Sequence, residues 1–305
     1  MRGALEAPAG AVTGASGLSV LVATDGSRHA RAAVATTLAF PWPADTRVNG
    51  VVALRTASTR GRPRYVVEAF ERAFARVARA SRQALARRWP DADVAIVDAR
   101  PRDAILAEAQ RRRAAVIVLG SRGHGVFRRI VLGSVSRGVL RGARCPVLVV
   151  RRRPREIRRF VIGIDGSRGA RRATRFVAGL IPPRAGRVVL VGVVEPHTIL
   201  SMGLMPTAVR AALRAEEREV EAARMAKARV ELEAAAGDLR RTGWTVETTV
   251  RSGAPLHELL GAVDAARGDV LVVGARGAGR VERLLLGSVA EGALNQARVP
   301  VLVVK

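Results

Sequence analysis

The chain predicts an α/β fold with two tandem Rossmann-like domains, each a parallel sheet covered on both faces by helices. Three observations carry this. Short β-branched runs alternate with helix-like segments from one end to the other, the pattern that parallel sheets require. An Asp-Gly-Ser turn follows the first strand of each half, at Asp25–Ser27 and again 140 residues later at Asp165–Ser167. A glycine pattern then joins the fourth strand to the next helix, at Gly120–Ser134 and 154 residues on at Gly274–Ser288. At ~100–200 residues per domain, 305 residues suit two domains, each with its own core. The expected division is a leader over 1–17, a first domain over 18–150, an arginine-rich linker over 151–158 and a second domain over 159–305.

In order, Ser19 to Thr24 has the composition of a short buried strand, and Asp25-Gly26-Ser27 opens a helix over Arg28 to Phe40 with Ser27 as N-cap. Pro41 and Pro43 end it. Val48 to Leu54 is the second strand. Arg64 to Arg88 follows as a long amphipathic helix with Val67, Phe70, Phe74, Val77 and Leu85 near helical spacing. Val94 to Val97 returns to strand, and Pro101 suits the first turn of a helix running through Arg113. Val116 to Leu119, the glycine loop, a helix from Ser134 to about Gly142 and a last strand over Pro146 to Val150 complete the half. Right-handed crossovers place the loops after the strands on one edge of the sheet. The Asp25 and Gly120 loops lie side by side there if the strand order reverses between the first and fourth strands, and such a switch point binds ligands.

Six arginines crowd residues 151–159 before the series restarts at Phe160 to Ile164. Between the Asp-Gly-Ser turn and the glycine loop the second half is 14 residues longer, the difference between the two offsets. The extra length falls at Glu195 to Pro206 and in a helix from Thr207 to about Arg240. Val209, Leu213, Val220, Ala223, Val230 and Ala234 trace an apolar stripe there, read as its packing face. Asp269 to Val273, the loop, Ser288 to Gln296 and Pro300 to Val304 close the half.

Composition bounds the function. Apolar residues make up 49% of the chain, too many for a disordered polyelectrolyte, yet no run approaches the ~20 residues of a membrane span. The single Cys145, placed in a strand-like run, excludes an intramolecular disulfide and favours a reducing, cytoplasmic setting. The formal charge is +26, and of 52 basic residues only Lys227 and Lys305 are lysine. Such dominance of arginine over the whole chain reads first as a coding bias, although guanidinium forks bind phosphates well whatever their origin.

Strand, glycine loop and helix form a phosphate-binding arrangement. Glycine lets backbone amides approach an anion, and the orphan amides of a helix N-terminus supply more donors. The spacing is Gly-x2-Gly-x9-Gly-Ser in both halves: Gly120, Gly123, Gly133 and Ser134, then Gly274, Gly277, Gly287 and Ser288. With its surroundings, VIVLGSRGHGVFRRIVLGSVS and VLVVGARGAGRVERLLLGSVA, and the terminal CPVLVV and VPVLVV, it resembles the signature of the universal stress protein family. The resemblance runs from about residue 18 to 305 as a tandem pair.

That resemblance implies an adenine nucleotide alpha hydrolase-like fold with five parallel strands in the order 3-2-1-4-5. It also implies ATP as ligand. Gly120, Ser121, Arg122, Gly123, Gly125, Gly133, Ser134 and Val135 would surround the ribose and phosphates of one nucleotide. Gly274, Ala275, Arg276, Gly277, Gly279, Gly287, Ser288 and Val289 would surround those of a second. Asp25 and Asp165 match the family's acid near the adenosine, and each could share a divalent ion such as Mg2+ with the phosphates. Ala23 and Gly163 match a small position two residues earlier. Ala53 and Leu54, or Val193 and Val194, would line the adenine slot. Arg129 and Arg283, inside the nine-residue spacers, could add phosphate contacts. Charge-assisted hydrogen bonds of roughly 1.5–3 kcal/mol each are enough for micromolar affinity after the loss of ligand freedom.

An enzyme reading finds little support. His29, His124, His197 and His257 share no motif or metal-ligand spacing, and no GxxxxGK[ST] loop occurs. Slow ATP hydrolysis stays open. A rival of another class is an arginine-rich polyanion or nucleic-acid binder on the same fold, but aromatics at 3% give no stacking platform for single strands. The leading expectation is a nucleotide-dependent regulatory module, with the terminal strands of the two halves paired in a pseudo-dimer and a homodimer of chains as a further step.

Overall fold

Alternation of strand and helix is realised throughout the computed structural model, which describes residues 17–55, 61–123, 132–196, 207–277 and 286–305. The first half runs β1 (Ser19–Ala23), α1 (Arg28–Ala39), β2 (Arg47–Leu54), α2 (Arg64–Ala86), β3 (Val94–Asp98), α3 (Pro101–Arg111), β4 (Val116–Gly120), α4 (Ser134–Gly142) and β5 (Val147–Val150). The second repeats it as β6 (Arg159–Ile164), α5 (Arg168–Ala178), β7 (Arg187–Val194), α6 (Thr207–Arg241), β8 (Thr245–Ser252), α7 (Pro255–Ala265), β9 (Val270–Gly274), α8 (Ser288–Gln296) and β10 (Val301–Val304).

All ten strands join one sheet in the order β3-β2-β1-β4-β5-β10-β9-β6-β7-β8. Within each half the order is 3-2-1-4-5 and every pair is parallel. The halves meet where β5 and β10, each otherwise an unpaired edge, run antiparallel with Leu148 opposite Leu302. Strands buried on both faces read as continuous apolar runs because helices cover both sides. One core layer takes Val34, Phe40, Leu85, Phe160, Val177, Leu232 and Leu239. The other takes Ile105, Leu140, Leu148's neighbours Val147 and Val149, Leu259, Leu294 and Val301.

Two local devices recur. Ser27 and Ser167 cap α1 and α5 by accepting from the amides of Ala30 and Ala170, at 3.3 and 3.1 Å. Gly26 and Gly166, at φ +78° and +72°, supply the left-handed residue that the preceding turn needs. The linker contains neither helix nor strand, and Asp269 pins its end by accepting from the amides of Arg158 and Arg159 at 2.9 and 2.8 Å. Cys145 lies half-buried in the bend before β5 rather than in a strand, and burial pushes its thiol up to about 11.

The long helix α6 corrects the expected stripe. Val220 and Val230 are 45% and 71% exposed, and Ala223 and Ala234 are exposed as well, while the buried line is Leu232, Ala236 and Leu239. Leu213 is half-buried, and the side chain of Val209 lies outside the described residues. Gly192 of β7 fixes the phase: a Cβ there would meet Leu232 at 3.4 Å and Ala228 at 3.6 Å, so the helix settles with these residues over the glycine.

Candidate functional site

The reversal of strand order lies between β1 and β4, which pair directly, and between their counterparts β6 and β9. The loops after these strands therefore leave the sheet side by side. Asp25 turns back on itself, its Oδ1 accepting from Ser27 N at 2.9 Å, and Asp165 does the same with Ser167 N at 3.0 Å. That turn fixes each carboxylate beside the glycine loop. A Cβ on Gly123 would stand 2.5 Å from Asp25 Oδ2, and one on Gly277 2.7 Å from Asp165 Oδ2, so a side chain at either place would displace the carboxylate.

Why the glycine pair is followed by Gly-Ser after nine residues is also visible. The amide of Gly133 donates to Ser121 O at 2.8 Å, and that of Gly287 donates to Ala275 O at 2.9 Å. Each bond closes the loop on its own start and leaves the N-terminus of α4 or α8 facing the Asp turn. Ser121 and Ala275 themselves bond back to Val150 O and Val304 O, at 2.8 and 2.7 Å, which ties each loop to the terminal strand.

A cavity opens at this edge in both halves. In the second half it measures 260 Å³ and is bounded by Gly163, Asp165, Gly274, Arg276, Gly277, Gly287, Ser288 and Val289 among the expected residues. In the first it measures 110 Å³ and takes Ala23, Asp25, Gly120, Arg122, Gly123 and Val135. Of the second-strand residues expected there, Ala53 and Val193 line the cavities, joined by Val51 and Val191; Leu54 and Val194 are next in the strand and so turn to the opposite face. Ser121, Ala275, Gly133 and Ser134 shape the loops without lining them. Gly125, Arg129, Gly279 and Arg283, with His124 and His197, lie outside the described residues.

The wall residues not anticipated include Pro101 and Ile105 of α3 and Pro255 and Leu259 of α7. A signal existed. Both prolines open the helix after the third strand, 154 residues apart like the glycine loops, and a ring held at N1 faces the strand ends.

The electrostatics are cationic. His29, in the first turn of α1, has its pKa lowered by burial and then by Arg122, Arg28 and Arg151, with Asp25 opposing, so it is neutral at pH 7. Its counterpart in the second half is Gly169. Burial lowers Arg151 with Arg122 adding to it, and lowers Lys305 with Arg276 adding to it. Like charges held together with acids fixed nearby suit a ligand with a polyanionic end and an apolar end. His257 is exposed on α7, away from both cavities.

Comparison with known proteins agrees with this architecture. The model of the universal stress protein family matches residues 18–151 and again 156–305. A Thermus aquaticus universal stress protein is 34% identical over 134 residues, 44% of this chain and 98% of its own length. One from Mycobacterium tuberculosis is 30% identical over 205 residues, 63% of this chain, and the match spans only 62% of that protein's length. Among solved structures, a universal stress protein from Archaeoglobus fulgidus shares the fold with a TM-score of 0.63 at 21% identity, over 94% of this chain and 98% of its own. One from Pseudomonas aeruginosa shares it with a TM-score of 0.54 at 16% identity, over 94% and 92% of the two chains. With the strand order, the twice-built loop and both family matches in agreement, the chain belongs to the universal stress protein family.

Proposed function

We propose that the chain is an ATP-binding regulatory protein with one adenine nucleotide seat in each half. The observation that carries this reading is the repetition of one construction at the same sheet edge. In both halves a cavity lies between the Asp turn, the glycine loop, the end of the second strand and the helix that follows the third. The residues fit such a ligand. Apolar walls from Val51, Ala53, Pro101 and Ile105, or Val191, Val193, Pro255 and Leu259, take the base. Asp25 and Asp165 accept from the ribose hydroxyls. Arg122 and Arg276, with the first amides of α4 and α8, face the phosphates.

Among the described residues no three His, Cys, Asp or Glu side chains cluster. A Mg2+ ion would thus arrive on the nucleotide, with Asp25 or Asp165 as the nearby carboxylate, and take its other ligands from phosphate and water oxygens. Occupancy bridges the Asp turn, the glycine loop and the end of the second strand, which stabilises the halves by mass action and alters the surface they present.

The test is to denature the purified protein, identify the released nucleotide and measure its ratio to protein. Wild type is expected to release adenine nucleotide, Gly123→Val or Gly277→Val to release about half as much, and the double variant none. Retention unchanged in the double variant removes both seats from the reading.

A further inference from the structure

The contact between the halves contains a reciprocal exchange that the paired strands do not require. Arg151, the residue after β5, reaches across the junction and donates from Nη2 to the carbonyls of Leu294 and Asn295, both at 3.0 Å. These are among the last carbonyls of α8, which lack intrahelical partners. Lys305, the residue after β10, donates from Nζ to Leu140 O, at the C-terminal end of α4. The two cations stand 154 residues apart, the same offset as the glycine loops, so they occupy equivalent positions in the repeat. One of only two lysines in the chain is used here.

Each helix therefore borders a cavity of its own half at one end and is held by the other half at the other. The N-terminus of α8 borders the second cavity through Ser288, Val289 and Ala290, while its C-terminus is held by the first half. The N-terminus of α4 borders the first cavity through Val135 and Ser136, while its C-terminus is held by the second half. The helices are nine residues long, about 13 Å, so a cation holding one end positions a short rigid rod whose other end borders a cavity. Each cation also follows the strand residue to which the glycine loop of its own half is bonded: Ser121 N donates to Val150 O at 2.8 Å, and Ala275 N to Val304 O at 2.7 Å.

We infer that Arg151 and Lys305 are positioning residues that couple the two nucleotide seats, each following the strand residue bonded to the glycine loop of one seat while holding the helix whose N-terminus forms the other. This rests on the proposed nucleotide reading and adds to it a regulation of the same sites. The sign follows from these ties. An anion that orders the first glycine loop steadies Val150 through the Ser121 bond, so Arg151 settles more firmly on the α8 carbonyls and the second seat tightens. The mirror-image path runs from Ala275 through Val304, Lys305 and α4 to the first seat. Coupling of this kind is reciprocal by linkage, so each seat tightens the other by the same factor.

Calorimetric titration of nucleotide-stripped protein with ATP tests it. Wild type is expected to bind two ATP with the second step about threefold to tenfold tighter than independent seats would give. Arg151→Met with Lys305→Met, which keeps the apolar stems and removes the donors, is expected to bind two ATP independently. A crossed measurement separates coupling from general damage. In the Gly123→Val chain only the second seat remains, and adding Arg151→Met, a residue of the other half, is expected to weaken it about threefold or more. Adding Arg152→Met, whose exposed side chain touches neither helix end, is expected to leave it unchanged. Two independent seats in wild type, or a second seat indifferent to Arg151→Met, overturns the coupling and leaves the nucleotide reading standing. Failure of wild type to bind ATP at either seat overturns both.

Discussion

At the scale of single residues, the clearest electrostatic commitment lies away from the seats. Glu108 of α3 is 5% exposed, yet it stays ionised because Arg111 and Arg112 hold it, with Nη2 and Nε donating to Oε1 at 2.5 Å each. The hydrogen bond from Arg111 is the largest cause, Arg112 adds to it, and together they overcome burial and bring the carboxyl from 4.5 to about 2. A depressed carboxyl stabilises the fold above its unfolded value and loses that contribution as pH falls through the folded one. Glu108→Gln is accordingly expected to cost roughly 1–2 kcal/mol at pH 7, a figure discounted because Arg111 is well exposed. Denaturant melts of both proteins should converge between pH 4.5 and 2; a gap that persists to pH 2 contradicts the assignment. Such a cluster does not stand out in a sequence with this many arginines, because more exposed acids such as Glu68 and Asp238 also have an arginine three or four residues on. The two cavities were legible for the opposite reason. Gly123 and Gly277 are needed where a Cβ would strike a carboxylate, and the same residue type at the same spacing stands in both halves. Leu54 and Val194 show the limit of that legibility, since a position one residue along a strand changes face.

Elements were legible where their chemistry was local. Ser27 and Ser167 mark helix starts because a hydroxyl there takes an orphan amide, and Pro101 marks another because its ring suits the first turn. The phase of α6 was not, because its 35 residues spread alanine, glutamate and arginine almost evenly around the axis, so two stripes compete in the sequence. Packing against Gly192 and the face of β7 decides between them. Leu232→Ala is expected to cost about 2–5 kcal/mol, the usual result of emptying a buried leucine site, while Val230→Lys changes stability by less than about 0.5 kcal/mol. Urea midpoints for the two variants check this directly. A Val230→Lys penalty as large as that of Leu232→Ala would mean that the exposed stripe is packed after all.

At the scale of the whole molecule, repetition of the sequence made the tandem architecture readable, and the bare terminal strands made their pairing a natural expectation. What the repeat could not show is the seam that accompanies this pairing, because its residues have no common motif. Phe40 stacks on Trp42 at 4.2 Å, meets Phe160 of the other half edge-on at 5.7 Å, and Phe160 in turn meets Trp244 at 5.3 Å. Beside them the amide of Ile181 donates to Pro41 O at 3.1 Å. The strand junction itself offers only a short register, from Val301 opposite Val149 to Val303 opposite Val147, so the aromatic seam must carry much of the cooperation between halves. Phe160 is fully buried at its centre and belongs to β6, where it also serves the core of its own half. Truncation to alanine is expected to cost about 3–5 kcal/mol, and the loss falls unequally, because the second half loses core as well as contact while the first loses contact alone. Scanning calorimetry of wild type should then show one transition with equal calorimetric and van't Hoff enthalpies, and Phe160→Ala should split it into an early and a late one. A single, merely lowered transition in the variant would show that the paired strands and the Arg151 and Lys305 caps suffice to unite the halves without the rings.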